Sequence, residues 1–357
     1  MNKIDMKSIG LTDRFIQEAQ NYAGLNIGRV ASQAKDLYKV ITDAGELRAE
    51  ISGKFRHQAR TISAYPAVGD FVLLDRMNNL SGNGVIHHVL TRKSVFARKA
   101  AGVTEDLQIV AANIDTVFIC MALNNDFNLR RLERYLSIAW DSGATPVTVL
   151  TKADLCVDID TRLTELSPIA IGVETLITTS AAGHGYLSVQ KYISYGQTVA
   201  FIGSSGVGKS TLINRLLGQD ILETKETRGD DKGRHTTTRR ELIILPQGGV
   251  VIDTPGMREL GVITADFSKS FADIDELAAE CKFRDCAHDR EPGCAVQKAV
   301  CDGALSAERL ESFRKLKKEA KYSGLNSKQI EQEKINQMFG SVGGMKNFRK
   351  FIKEKKK

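Results

Sequence analysis

The sequence predicts a multidomain chain: a small N-terminal β-barrel, a central α/β unit on a parallel-rich sheet, and a helical, cysteine-bearing end with a basic tail. Three observations predict it. Residues 29–96 carry short period-two runs broken by glycine turns. From about Asn113, apolar strands alternate with helical stretches. After about Ala265 the strands stop, and cysteines and then lysines take over.

Residues 1–25 give a weak helical pattern and read as an N-terminal arm. Leu47, Ala49 and Ile51 alternate with Glu46, Arg48, Glu50 and Ser52, between Gly45 and Gly53. Residues 68–74 and 85–90 read as further strands around a turn-rich segment. Several short strands within ~65 residues suggest a barrel. Ile114 to Leu123 is nearly continuous apolar sequence, as a strand covered on both faces requires. Leu132, Tyr135, Leu136 and Ala139 then share one helix face. Residues 146–150, 175–179, 198–202, 241–245 and 250–252 supply more strands. The expected divisions are 1–96 for arm and barrel, 97–264 for the α/β unit, and 265–357 for the helical end and tail.

The chain has 357 residues, of which 42% are hydrophobic and 26% charged, so wholesale disorder is excluded. The longest apolar run, Val117 to Leu123, is seven residues, and a membrane helix needs ~20. The N-terminus shows no secretory pattern, so the cytoplasm is the expected compartment. No membrane partner and a monomer are expected. The net charge of +7 is unevenly spread. Residues 314–357 hold 14 Lys+Arg against 4 Asp+Glu, which points to a polyanionic partner for that end.

Gly203-Ser204-Ser205-Gly206-Val207-Gly208-Lys209-Ser210 fits G-x-x-x-x-G-K-[ST] and continues into Thr211. It follows a strand and opens a helix that Gly218 stops. Glycines let N–H groups curl around phosphate oxygens, and the helix N-terminus adds partial positive charge. Lys209 should reach the β- and γ-phosphates, and Ser210 should ligate Mg²⁺. The loop alone does not identify the base.

Thr151-Lys152-Ala153-Asp154 ends a strand and resembles the N-K-x-D guanine motif, in which the carboxylate accepts from guanine N1–H and the 2-amino group. The Lys152 stem would cover the base plane. Ser180-Ala181-Ala182 resembles the S-A-K loop that supports guanine. Asp253-Thr254-Pro255-Gly256 fits D-x-x-G, with Asp253 on the Mg²⁺ shell and Gly256 meeting the γ-phosphate. Gly233 to Arg239, G-R-H-T-T-T-R, reads as a first switch, and Thr237 is assigned to complete the Mg²⁺ shell. In ordinary GTPases the base motifs come last, whereas here they come first. That order is a circular permutation, which folds tolerate when the original termini lie close together.

Cys281, Cys286, His288 and Cys294 offer three thiolates and an imidazole within 14 residues, the donor set of a closed structural zinc site. Cys301 reads as a packed free thiol and Cys120 as core. Incidental buried cysteines are the plainer alternative.

In combination these features resemble the bacterial ribosome small-subunit-dependent GTPase A family, also called RsgA or YjeQ, over about residues 29–305. The resemblance implies an OB-fold barrel, a permuted GTPase, a zinc-binding helical domain and a role in late maturation of the small ribosomal subunit, with its rRNA as partner. The family usually has Asn where this chain has Thr151. That Asn commonly ties the base loop to the phosphate loop.

Many GTPases carry Gln after D-x-x-G to orient the attacking water, and here Met257 stands there. His235, in the switch, is the best candidate in cis for that work. In the resembling family the matching His has been assigned a catalytic role. The plainer alternative is a loop His that contacts phosphate or RNA. Slow intrinsic turnover, stimulated by a partner that orders the switch, is expected.

OB-like barrels commonly bind oligonucleotides. Arg48, Lys54, Arg56, His57, Arg60, Arg92, Lys93, Arg98 and Lys99 are the barrel's basic positions, most of them individually accounted for by a solvated surface. Of the aromatics Phe55, Phe71 and Phe96, at least Phe71 lies on a strand and reads as core rather than a base-stacking platform. Lys315, Lys317, Lys318, Lys321 and the terminal lysines are the stronger RNA candidates. A guanine-nucleotide-regulated RNA-binding scaffold is the alternative from another class. An ATPase or P-loop kinase is the second enzymatic alternative, and Asp154 argues against it.

Overall fold

A computed structural model describes residues 3–80, 82–99, 107–179, 185–219, 222, 240–253 and 267–322. After helix α1 (Asp13–Ala19) come strands β1 (Asn26–Ala34), β2 (Leu37–Thr42) and β3 (Gly45–Ile51), the short helix α2 (Gly53–Gln58), and strands β4 (Phe71–Leu74) and β5 (Gly84–Val89). β1 pairs with β2, β2 with β3, β3 in parallel with β5, β5 with β4, and β4 back with β1. The circuit closes a five-stranded barrel, in which β4 covers only Asn26–Arg29 of β1 and leaves the later part of that strand an edge. The alternation expected along β3 holds: Leu47, Ala49 and Ile51 are buried, while Glu46, Arg48 and Glu50 are exposed.

The barrel aromatics are not a base-stacking platform. Phe55, Phe71 and Phe96 are all buried, and Phe71 packs on Phe15 with ring centroids 4.4 Å apart. Arg92 is likewise committed inside. It donates to both carboxylate oxygens of buried Asp70 at 2.8 and 2.7 Å, and to the carbonyls of Ser63 and Tyr65. Burial raises the Asp70 carboxyl, and Arg92 opposes that rise. Lys93 pairs with Asp115.

Next come a two-stranded sheet of β6 (Val95–Lys99) and β7 (Leu107–Ala112), then β8 (Thr116–Ala122), buried throughout. The division expected at residue 96 falls inside β6, and β7 lies beyond it. Helix α3 (Leu129–Ser142) starts where the Asn128 side chain accepts from the Arg131 N–H at 2.9 Å, and it stops at Gly143, whose φ is 84°. It buries Leu132, Tyr135, Leu136 and Ala139, as the spacing predicts, and also Glu133. Strands β9 (Thr145–Thr151), β10 (Glu174–Ile177), β11 (Thr198–Gly203), β12 (Glu241–Ile244) and β13 (Val250–Asp253) complete the sheet, with helices α4 (Ile159–Leu166), α5 (Leu187–Gln190) and α6 (Lys209–Leu217) along the same stretch of chain. Its order is β10-β9-β8-β11-β13-β12, with the first five strands parallel and β12 antiparallel.

The sheet does not stop there. β12 also pairs with β1 of the barrel, Ser32 opposite Glu241, so eleven strands form one continuous sheet. Arg29, fully buried on β1, reinforces the junction. Its guanidinium donates to the carbonyls of Ile9, Gly69 and Asn113 and to the Thr198 hydroxyl, and it lies 4.9 Å from the Phe71 ring. Burial lowers its pKa to about 10, against the pull of Asp115 and Asp70.

The C-terminal part contributes α7 (Ala272–Ala279), α8 (Ala295–Cys301) and α9 (Ala307–Lys321). Helix α9 carries the first lysines of the basic run, and it is docked. Leu310, Phe313, Leu316 and Ala320 are buried, while Lys315, Lys317, Lys318 and Lys321 face water. Buried Arg309 donates to both oxygens of Asp273 at 2.7 Å, to Glu133 of α3 at 2.9 Å and to the Ser270 carbonyl at 3.0 Å. The terminal lysines lie outside the described residues. Cys120 is core, as expected, with its thiol raised by burial to about 12. Cys301 is exposed, so the reading of a packed thiol is corrected: the last turn of α8 turns it to solvent.

Candidate nucleotide and metal sites

β9, β11 and β13 run parallel within the sheet, so Thr151, Gly203 and Asp253 all end strands at one edge. That carboxyl edge is where open α/β sheets bind ligands. The phosphate loop leaves β11 at Gly203, whose φ is 148°. A Cβ there would stand 2.4 Å from the Cys120 carbonyl oxygen, so only glycine fits. Val207 is buried beneath the loop, while Ser205 and Gly206 are exposed at its crest. Helix α6 (Lys209–Leu217) starts directly after Gly208 and ends at Gly218. Lys209 Nζ donates to the carbonyls of Gly203 at 2.9 Å and Ser204 at 2.6 Å. Ser210 and Thr211 occupy the first turn of α6.

The base loop is tied to this structure. The Thr151 hydroxyl donates to the Val207 carbonyl at 2.6 Å. Thr therefore spans the two loops from the position where Asn was expected, because its hydroxyl needs only one carbonyl within reach. Lys152 adopts a left-handed conformation, φ 57°, which turns the chain into the short helical turn Ala153–Leu155. The Ala153 N–H donates to the Thr178 carbonyl at 3.2 Å, which sets the loop against the end of β10. Asp154 accepts a hydrogen bond from the Thr179 hydroxyl. Thr179 was not singled out from sequence. Its only signal is its place before Ser180.

Burial raises the Asp253 carboxyl, Lys209 opposes the rise and Glu241 adds to it. A raised folded pKa means the ionised form costs stability, which is recovered as the pH falls through that pKa. Asp253→Asn should therefore leave the protein at least as heat-stable at neutral pH. A melting temperature well below the parent's would contradict the dominance of burial.

Ser180, Ala181, His235, Thr237, Gly256 and Met257 lie outside the described residues.

The second site is built on loops. Cys281 follows α7, Cys286 and His288 sit in the irregular segment after it, and Cys294 caps α8. All four donor atoms lie within 4.8 Å of one another. Cys281 Sγ and Cys294 Sγ are each 3.6 Å from His288 Nδ1 and 3.8 Å from each other. Tetrahedral zinc with Zn–S of about 2.3 Å and Zn–N of about 2.0 Å has edges of about 3.8 and 3.5 Å. Cys281, His288 and Cys294 thus already stand at the spacings such an ion requires, with Cys286 within 4.8 Å of each. Gln297 and Arg314 both donate to the His288 carbonyl, which fixes the loop behind the imidazole.

Comparison with known proteins agrees with this geometry. A family model described as RsgA GTPase matches residues 89–263. The small ribosomal subunit biogenesis GTPase RsgA 2 of Lactiplantibacillus plantarum is 53% identical over 344 residues, covering 96% of this chain and 97% of that one. The chain belongs to the RsgA GTPase family. RsgA 1 of Listeria innocua is 44% identical over 89% of this chain and 90% of its own. Among solved structures, YjeQ from Thermotoga maritima has a TM-score of 0.60 and 28% identity, covering 83% of this chain and 98% of that one. YloQ, described as a circularly permuted GTPase, shares the fold with a TM-score of 0.59, covering 84% of this chain and 96% of its own. The RsgA fold explains the motif order. β9, with its base loop, precedes β11 in the chain, yet both end at the same edge.

Proposed function

We propose that this RsgA-family protein hydrolyses GTP to GDP and phosphate as an assembly factor in late maturation of the small ribosomal subunit. The bond from Thr151 to Val207 carries the reading, because it joins a guanine-type loop to a phosphate loop in one site. The names of its relatives supply the ribosomal role. Residues 203–211 hold the phosphates. Thr151, Lys152, Ala153, Asp154, Ser180 and Ala181 form the base pocket, and Gly256 meets the γ-phosphate. Ser210, Thr237 and Asp253 serve Mg²⁺, and His235 assists the attacking water. One structural Zn²⁺ on Cys281, Cys286, His288 and Cys294 would order the loops around it. The proposed units are residues 1–96, 97–264 and 265–357. The exposed lysines of α9 and the tail after it are proposed to meet rRNA, with salt-dependent binding. No helix among the described residues is long and apolar enough to cross a membrane. A ribosomal partner supports action in the cytoplasm, and a monomer is proposed.

The test is GTPase activity with small subunits, with large subunits and with none. Stimulation by small subunits alone is expected, and equal rates in all three would sink the reading. The base has its own test. Asp154→Asn should weaken GTP binding by about 2–4 kcal/mol, because a charged pairing with two donors is lost, and it should relax discrimination toward xanthine nucleotides. ATP competing equally with GTP in the parent protein would refute the guanine assignment.

A further inference from the structure

Sequence reasoning passed over Asp126, in the loop between β8 and α3. One of its carboxylate oxygens accepts a hydrogen bond from the Ser204 hydroxyl of the phosphate loop. The other accepts from Arg131 Nη1 of α3 at 2.7 Å. The loop that carries Asp126 is itself ordered. The Asp126 N–H donates to the Asn124 side chain at 3.0 Å, and Asn128 caps α3. Ser204 is also the residue whose carbonyl receives Lys209 Nζ at 2.6 Å.

The phosphate loop is therefore gripped by side chains at two points. Thr151 holds the Val207 carbonyl, and Asp126 holds Ser204. Between the grips lie Ser205 and Gly206, the exposed crest that would wrap the phosphates. A loop fixed at both shoulders keeps its N–H groups aimed inward before nucleotide arrives, which lowers the ordering cost of binding. A carboxylate behind a phosphate site would repel its ligand unless its charge were balanced. Arg131 supplies that balance.

We propose that Asp126 is a positioning residue for nucleotide phosphate binding, acting through Ser204 and supported by Arg131. The inference rests on the reading of this loop as a guanine-nucleotide site.

The test is equilibrium binding of a fluorescent GDP analogue to the full chain, with melting temperatures measured alongside. Asp126→Ala and Ser204→Ala should each weaken binding about tenfold, the worth of one charge-assisted hydrogen bond. The double variant should be no weaker than either single one, because both remove the same bond. Asp126→Asn should recover most of the affinity, since its amide oxygen still accepts from Ser204. A merely structural role would instead lower the melting temperature and leave affinity unchanged at temperatures where the protein is folded. Losses that multiply in the double variant, or an Asp126→Ala protein that binds like the parent, would overturn the inference alone. A parent that binds no guanine nucleotide would remove the underlying site reading as well, and that result is distinct from the other two.

Discussion

Removing metal from the Cys281–Cys294 cluster should melt residues 281–301 while guanine-nucleotide binding persists. Residues 281–293 contain no regular helix or strand, and Phe283 lies exposed among them. Little apolar burial is available there to offset the entropy of ordering the loop. Structural zinc supplies roughly 10–16 kcal/mol in small domains of this kind, more than most whole domains have in reserve. The loss should stop short of α9. Phe313 packs against Phe267 and Phe271, and Arg309 holds Glu133 and Asp273, none of them through the metal. Hydrogen exchange before and after strong chelation would map the boundary. Freshly purified protein without about one zinc per chain, or unchanged protection after chelation, would refute the site.

His235→Ala should lower the small-subunit-stimulated rate by about 10²–10⁴-fold, the usual contribution of a positioned general base. GTP affinity should stay near the parent's, because the group acts on the transition state rather than on bound GTP. Met257, where Gln often stands, leaves the water without its usual partner. The structure adds a reason for partner dependence. β12, just after the switch sequence, is held by β13 on one side and by barrel strand β1 on the other. Whatever docks on the barrel therefore bears on β12, the strand that follows residues 233–239 in the chain. Full stimulated turnover in the variant would move the search to Thr236–Thr238 or to a group from the ribosome.

Much of this was legible in the sequence because it is local. Period two in β3, the helix face of α3, the loop around Lys209 and the four metal ligands all lie within short windows. The spacing of each reports its geometry directly. What was not legible depends on contacts between distant segments. Nothing near Arg92 announces that Asp70 will take two of its hydrogen bonds, so its charge reads as surface. Phe55 has the same composition signature whether it stacks on a base or fills a barrel. The Asp126–Ser204 bond joins residues 78 apart. Pairing of β1 with β12 cannot be read from either strand, since each reads as an ordinary edge.

The junction at Arg29 has a consequence for how the protein is made. All five barrel strands fall within residues 26–89, so the barrel can close while the rest of the chain is still being synthesised. Arg29 then waits. Its partner Thr198 comes 169 residues later, and the β12 edge later still. At ~5–20 residues per second, the 109 residues from the end of β5 to Thr198 take roughly 5–22 s. Throughout that interval the nascent barrel presents a guanidinium held by Ile9 and Gly69 but still lacking Thr198, and an open end of β1, the kind of surface that pairs with the wrong partner. Elongation speed through the α/β segment thus sets how long that face stays uncovered, and with it the exposure of each new molecule to misassembly.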